Sequence, residues 1–193
     1  MRKWAIDRNQ FSHKEYLSGS LSTNEGEHLS RLVAENKPEI IVEVGGWIGC
    51  SAVYLAQAAK EYDGYLFSID PHEASKIKKK RRIEDMEPVF RENMRIFGVE
   101  DHVTVIRKTS MEALEDWHLP VYFFLLDSLK FEANVRRDFY GWIPWIPLGG
   151  IFVFHDYTSH KGVQKVVDGL LRPSGNWEEM ETVQSLAIFR RRR

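Results

Sequence analysis

From Pro38 onward the chain alternates between short apolar runs and helical segments, and this alternation constrains the fold more than any other feature. Ile40 to Val44, Tyr65 to Ile69, His102 to Ile106, Val121 to Leu126 and Ile151 to Phe154 are brief and nearly continuous in apolar residues. Runs of that length are expected for strands buried on both faces. Between them lie helical segments: Ser51 to Lys60, about Glu84 to Phe97, a short piece from Ser110, Glu132 to Trp142, and Gly162 to Leu171. Parallel strands need such crossovers, so the pattern predicts an α/β fold with a Rossmann-like, doubly wound, mostly parallel sheet. Trp177 to Val183 and Leu186 to Arg190 read as two strands about a tight turn. They would add a C-terminal antiparallel hairpin and bring the sheet to seven strands.

Before the alternation begins, Ser22 and Glu25 have the spacing of a capping box. Leu29, Leu32 and Val33 follow on one helical face until Asn36-Lys37-Pro38 stops the helix. Residues 1–21 show no sustained period and carry Trp4, Phe11 and Tyr16. They read as an N-terminal arm suited to a substrate lid, and 22–193 as a single domain. The whole chain has 193 residues, 43% of them hydrophobic, which is too apolar for a disordered polymer and enough for one core. A lone cysteine, Cys50, rules out an intramolecular disulfide and any zinc site built on several thiolates. Beside the glycines it reads as a small packing residue.

No stretch approaches 18 apolar residues and the first residues have no apolar leader, so the expectation is a cytoplasmic protein without a membrane partner. Six Lys/Arg lie at 76–82 and four more at Arg190 to Arg193, leaving an acidic remainder that suits nucleic acid poorly. The 76–82 run follows the second strand and suits an anionic small-molecule substrate. A homodimer is compatible with the sequence.

In a doubly wound sheet ligands bind beyond the carboxyl ends of the strands. The informative residues gather there. Gly45, Gly46 and Gly49 separate strand one from the next helix, and Ser51 opens that helix. Their G-G-x-x-G spacing does not meet the dinucleotide fingerprint G-x-G-x-x-G. Glu43 adds a carboxylate beside the turn, suited to a ligand ammonium, and Asp70 ends strand two, where it could accept both hydroxyls of a ribose. Asp127 ends strand four, and His155 with Asp156 ends strand five.

The segment EVGGWIGCSA (43–52) resembles motif I of class I S-adenosylmethionine-dependent methyltransferases, in the form of the catechol and caffeoyl-CoA O-methyltransferases. LLDSLKFEANVRRDF, WIPLGGIFVFHDY and the GV that follows resemble small bacterial members of that superfamily, including sugar O-methyltransferases of macrolide pathways. The likeness runs from about Glu39 to Leu171. It implies S-adenosylmethionine as cofactor, with Glu43, Gly45 and Ser51 at its methionine end and Gly46 and Gly49 completing the turn. It further places Asp70 at the ribose, Ser110 and Met111 at the adenine, and Asp127 near the transferred methyl.

The implied activity is O-methylation of a small-molecule hydroxyl. Two alternatives are a non-catalytic S-adenosylmethionine- or nucleotide-binding module on the same fold, and an aminopropyl transferase. A hydroxyl is a weak nucleophile, and the rim formed by Asp127, His155 and Asp156 offers two ways of helping it. Asp127 and Asp156 could hold a Mg-like divalent cation, or His155 could act as general base. Two positions depart from the metal-dependent relatives: Tyr157 stands where their third ligand is Asn or Asp, and Asp127-Ser128-Leu129-Lys130 replaces D-x-D-H.

Overall fold

A computed structural model describes residue 4, residues 6–73 and residues 85–193, so the basic run at 76–82 lies outside the described residues. Helix α1 (Thr23–Asn36) starts with reciprocal caps: the Glu25 N–H donates to Ser22 Oγ, and the Ser22 N–H donates to the Glu25 carboxylate. It ends where Lys37 turns left-handed ahead of Pro38, which cannot continue the helix.

Then follow β1 (Ile40–Val44), α2 (Cys50–Ala59), β2 (Tyr65–Ile69), α3 (Glu87–Ile96), β3 (Val103–Ile106), α4 (Ser110–Glu115), β4 (Phe123–Leu126), α5 (Glu132–Trp142), β5 (Ile151–Phe154), α6 (Lys161–Val166), β6 (Trp177–Val183) and β7 (Leu186–Arg191). The sheet order is β3-β2-β1-β4-β5-β7-β6. The first five strands pair in parallel, while β7 is antiparallel to both β5 and β6. This is the seven-stranded mixed sheet that the alternation predicts. Boundaries move by a few residues: α3 starts at Glu87 with Pro88 in its first turn, and β4 starts at Phe123. The helix expected to reach Leu171 keeps α geometry only to Val166 and widens into a π turn over Val167–Leu171.

Alternate strand residues feed two cores. Phe123 and Leu125 of β4 join Ile41, Leu66 and Val153 on one face; Phe124 and Leu126 join Val42, Phe152 and Phe154 on the other. Ile6, Phe11, Leu17 and Leu21 of the arm are buried in the first core, against the same helices as the sheet. Glu25 also ties α1 to the β6–β7 turn, accepting from the Ser185 N–H and hydroxyl at 2.9 and 2.5 Å.

The chain leaves β1 for β2 and β3, then returns past β1 to β4. The crevice between the ends of β1 and β4 is therefore the switch point at which such sheets bind ligands. Among the described residues, no helix is long and apolar enough to cross a membrane.

Candidate active site

A cavity of about 610 Å³ opens at this switch point. Its size suits a small-molecule ligand. Gly45, Gly46, Ser51, Asp70, Ser110 and Asp127 line it. Gly45 has φ +102°, and a Cβ there would lie 2.2 Å from the Asp127 carbonyl oxygen. Only glycine lets the turn pass so close to the end of β4. Gly49, at φ +88°, does not line the cavity; its missing Cβ makes room for Met94 of α3, 2.5 Å from where that atom would be.

Glu43 lies fully buried beneath the turn rather than on the cavity wall. It accepts hydrogen bonds from the Ser51 and Ser68 hydroxyls, both at 2.6 Å. Burial pushes its carboxyl up to about 7, against the pull of those two donors. Ser51 thus links the buried acid to the cavity. Asp70 is fixed at the cavity edge by two backbone donors, Trp47 N–H at 2.9 Å and His72 N–H at 2.7 Å. Each carboxylate oxygen keeps a lone pair for a further donor, as two ribose hydroxyls would require.

Beyond β3, Ser110 accepts from Trp142 Nε1 at 2.9 Å and lines the cavity, whereas Met111 packs toward Gly141 of α5 and does not. Asp138, buried beside Ser110, accepts from Ser128 Oγ at 3.0 Å, and burial raises its carboxyl. Its other oxygen accepts no hydrogen bond but faces the Arg137 guanidinium at 3.6 Å.

At the ends of β4 and β5 the structure brings Asp127, His155 and Asp156 together and adds Lys130. His155 Nδ1 is 2.8 Å from Asp127 Oδ1 and 3.6 Å from Asp156 Oδ2. Lys130 Nζ donates to the same Asp127 oxygen and lies 3.3 Å from Asp156 Oδ2. Burial would raise Asp127, but the Lys130 and His155 charges outweigh it and hold the carboxyl below its ordinary value. His155 is the converse: burial would depress the ring, and Asp127 lifts it above its ordinary value. Of these four residues only Asp127 lines the cavity; His155 is buried behind it. Asp127, His155 and Asp156 lie close enough together to share an ion, and the two carboxylates are donors of the kind a hard cation takes. Lys130 already binds both carboxylates, however, so the rim as folded does not fit an added ion.

The cavity also draws on residues the sequence reading passed over. Ser18, Gly19, Ser20 and Leu21 of the arm close one side, and Trp47, Asn134, Arg137 and Asp138 complete the wall. Adjacency to the glycines was a usable signal for Trp47; within the arm, expected as a substrate lid over 1–21, nothing marked Ser18 to Leu21, because loop-to-cavity contacts leave no period. The arm's aromatics pack instead: Phe11 meets Phe97 at 4.6 Å, and Tyr16 sits edge-on to Trp47. Cys50 also lines the wall, buried, with its thiol pushed up by burial.

Three solved structures share the architecture. The O-methyltransferase TomG from Streptomyces achromogenes, involved in tomaymycin synthesis and solved with S-adenosylmethionine, is 17% identical with a TM-score of 0.71, covering 90% of this chain and 82% of its own. An O-methyltransferase from Bacillus cereus in complex with S-adenosylhomocysteine is 17% identical at TM-score 0.69, over 90% and 83%. An S-adenosylhomocysteine-bound methyltransferase from Podospora anserina is 15% identical at TM-score 0.72, over 96% and 84%. At those identities the likeness is one of fold. A methyltransferase-domain family model matches residues 42–157, more than half of the chain, from the strand before the glycine turn through Asp70 and Asp127 to Tyr157. The chain belongs to the methyltransferase domain family.

Proposed function

We propose that this protein transfers a methyl group from S-adenosylmethionine to a hydroxyl oxygen of a small molecule. The observation that carries the reading is the single cavity wall shared by Gly45, Ser51, Asp70 and Asp127, beneath the turn that matches the family. The three structural neighbours, two of them titled O-methyltransferases, hold the methyl donor or its demethylated product. Gly45, Gly46 and Ser51 are assigned to its methionine end, with Glu43 behind Ser51. Asp70 is assigned to the ribose and Ser110 to the adenine side.

S-adenosylmethionine supplies a methyl group on a sulfonium, an electrophile that needs no further activation. The protein's share is to align the acceptor, exclude water and take up a proton. Ser18 to Leu21 cover the cavity and serve the exclusion. Asp127, the rim acid that reaches the cavity, orients the acceptor hydroxyl. A carboxylate suffices as proton acceptor, because an oxygen gaining a methyl becomes strongly acidic as the O–C bond forms. His155 and Asp156 act through Asp127 and Lys130 by fixing that carboxylate. Arg137 on the wall, paired with Asp138 at 3.6 Å and half exposed, is among the described residues the cation nearest to hand for an anionic acceptor.

Titration calorimetry with S-adenosylmethionine, S-adenosylhomocysteine and NAD tests the donor; binding of NAD alone would reverse the assignment. Transfer of labelled methyl to a panel of hydroxyl compounds tests the chemistry. Tight donor binding with no turnover on any acceptor would make the protein a binding module. Once an acceptor is in hand, unchanged turnover in Asp127→Asn, His155→Ala and Asp156→Asn would show the rim to be structural only.

A further inference from the structure

We propose that Lys130 is the resident cation of the rim, its ammonium standing between Asp127 and Asp156 where a divalent ion would have to bind, so that the site works without metal. The inference rests on the methyl-transfer reading only for its kinetic arm.

Asp127 Oδ1, the oxygen turned toward His155 and Asp156, already accepts from both Lys130 Nζ and His155 Nδ1. On the Asp156 side, Oδ2 faces the same ammonium at 3.3 Å and Oδ1 accepts from Ser159 Oγ at 2.9 Å. A cation taking these oxygens would displace the ammonium and the imidazole contact before gaining its first two ligands. The ion pair is not a loose surface contact. Lys130, Asp127 and Asp156 are 19%, 17% and 19% exposed, so solvent screens them little, and separating them would leave sheltered charges unpaired.

The position after Asp156 gives an ion no help. Asp156 adopts φ +63°, and Tyr157 beyond it donates to Asp168 Oδ1 at 3.0 Å while accepting from Arg172 at 2.6 Å. That hydroxyl is held on the π turn, away from the rim. A hard cation such as Mg²⁺ demands near-octahedral oxygen ligation, and this rim offers one imidazole and two carboxylates already neutralised in part. An ammonium supplies one positive charge and three hydrogen-bond donors. Two of those donors meet Asp127 and Asp156, so the ammonium neutralises the rim from behind the cavity and orients the Asp127 carboxylate that lines it.

The test is metal binding by the full chain, followed by Mn²⁺ electron paramagnetic resonance. Wild type is expected to show no saturable site below about millimolar Mn²⁺, and its melting temperature should be the same in Mg²⁺ and in EDTA, since a ligand that does not bind the native state cannot stabilise it. Lys130→Met, which keeps the stem and removes the charge, should gain a Mn²⁺ site that Asp127→Asn in the same background abolishes. Lys130→Gln serves if the methionine variant does not fold. A saturable wild-type site lost in Asp127→Asn would overturn the proposal. So would folded Lys130 variants that bind no metal, since no seat would then have been vacated. If an acceptor is found, wild-type turnover should survive EDTA, and a loss restored by Mg²⁺ would count against Lys130. Absence of turnover on every acceptor bears on the proposed function, while the metal titration still decides the role of Lys130.

Discussion

Glu43 and Asp127 stand at or near the ends of neighbouring strands, and both are withdrawn from water, yet their carboxyls are shifted in opposite directions. Glu43 is satisfied by two neutral hydroxyls, and its carboxyl is pushed up to about 7. Asp127 is satisfied by an ammonium and an imidazole, and its carboxyl lies below the ordinary range. Burial alone therefore does not decide whether an acid in this crevice carries charge. The kind of donor that meets it does.

The contrast breaks hardest at Asp127. Asp127→Asn removes the anion facing Lys130 and His155, and loss of one partner from a sheltered ion pair costs roughly 3–5 kcal/mol. Asp156 still faces both cations, so denaturant unfolding should show a loss at the lower end of that range, yet larger than for Asp156→Asn, because Asp127 makes the closer contacts to Lys130 and His155. An Asp127 variant as stable as wild type would mean that the rim charges are solvated and the contrast is false.

The Glu43 side is sharpened by pH. Its folded value of about 7 lies above its ordinary 4.5, so the native state binds the proton more tightly than the unfolded chain. The resulting stability is full below about pH 4.5 and is lost as pH rises through 7, a change of roughly 3 kcal/mol for a shift of this size. Glu43→Gln should remove this slope, so its unfolding free energy, measured from pH 5 to 8, should fall less than that of wild type. Identical slopes in the two proteins would show that Glu43 is ionised throughout.

A smaller effect is expected at Asp70, where the acid meets a ligand instead of another side chain. Asp70→Asn keeps the shape but loses charge-assisted acceptance from hydroxyl donors, worth about 1.5 kcal/mol or roughly tenfold in cofactor affinity by calorimetry. Smaller still is Arg137→Ala. On an exposed wall position it should raise the KM of an anionic acceptor a few-fold and leave kcat unchanged.

Much of this was legible before any coordinates. The apolar runs of β1, β2 and β5 were bounded correctly because strands buried on both faces carry a local signature. Ser22 with Glu25 marked the start of α1 because a cap is a contact between residues three apart. Gly45, Ser51, Asp70, Ser110 and Asp127 were placed at one cavity because a doubly wound sheet delivers all its strand ends to one edge. Met111 and Gly49 were named from the same stretches, but each turns to a helix instead of the cavity. Adjacent residues on a turn face different neighbours, and linear order does not say which.

What the sequence determined by itself was the alternation, and with it the sheet, the crevice and the acids that reach it. Those properties follow from local periods and from the chemistry of single side chains. Tertiary structure alone decided which charges meet. Lys130 was visible only as a departure from a pattern, and its ammonium gains meaning because Asp127 and Asp156, 29 residues apart in sequence, end adjacent strands around it. Residues 1–21 were expected as a lid, but which of them line the cavity was equally hidden, since it depends on the arm packing into the core of α1 and α2. Long-range contacts of this kind are set by how buried surfaces fit, and they leave no period in the chain.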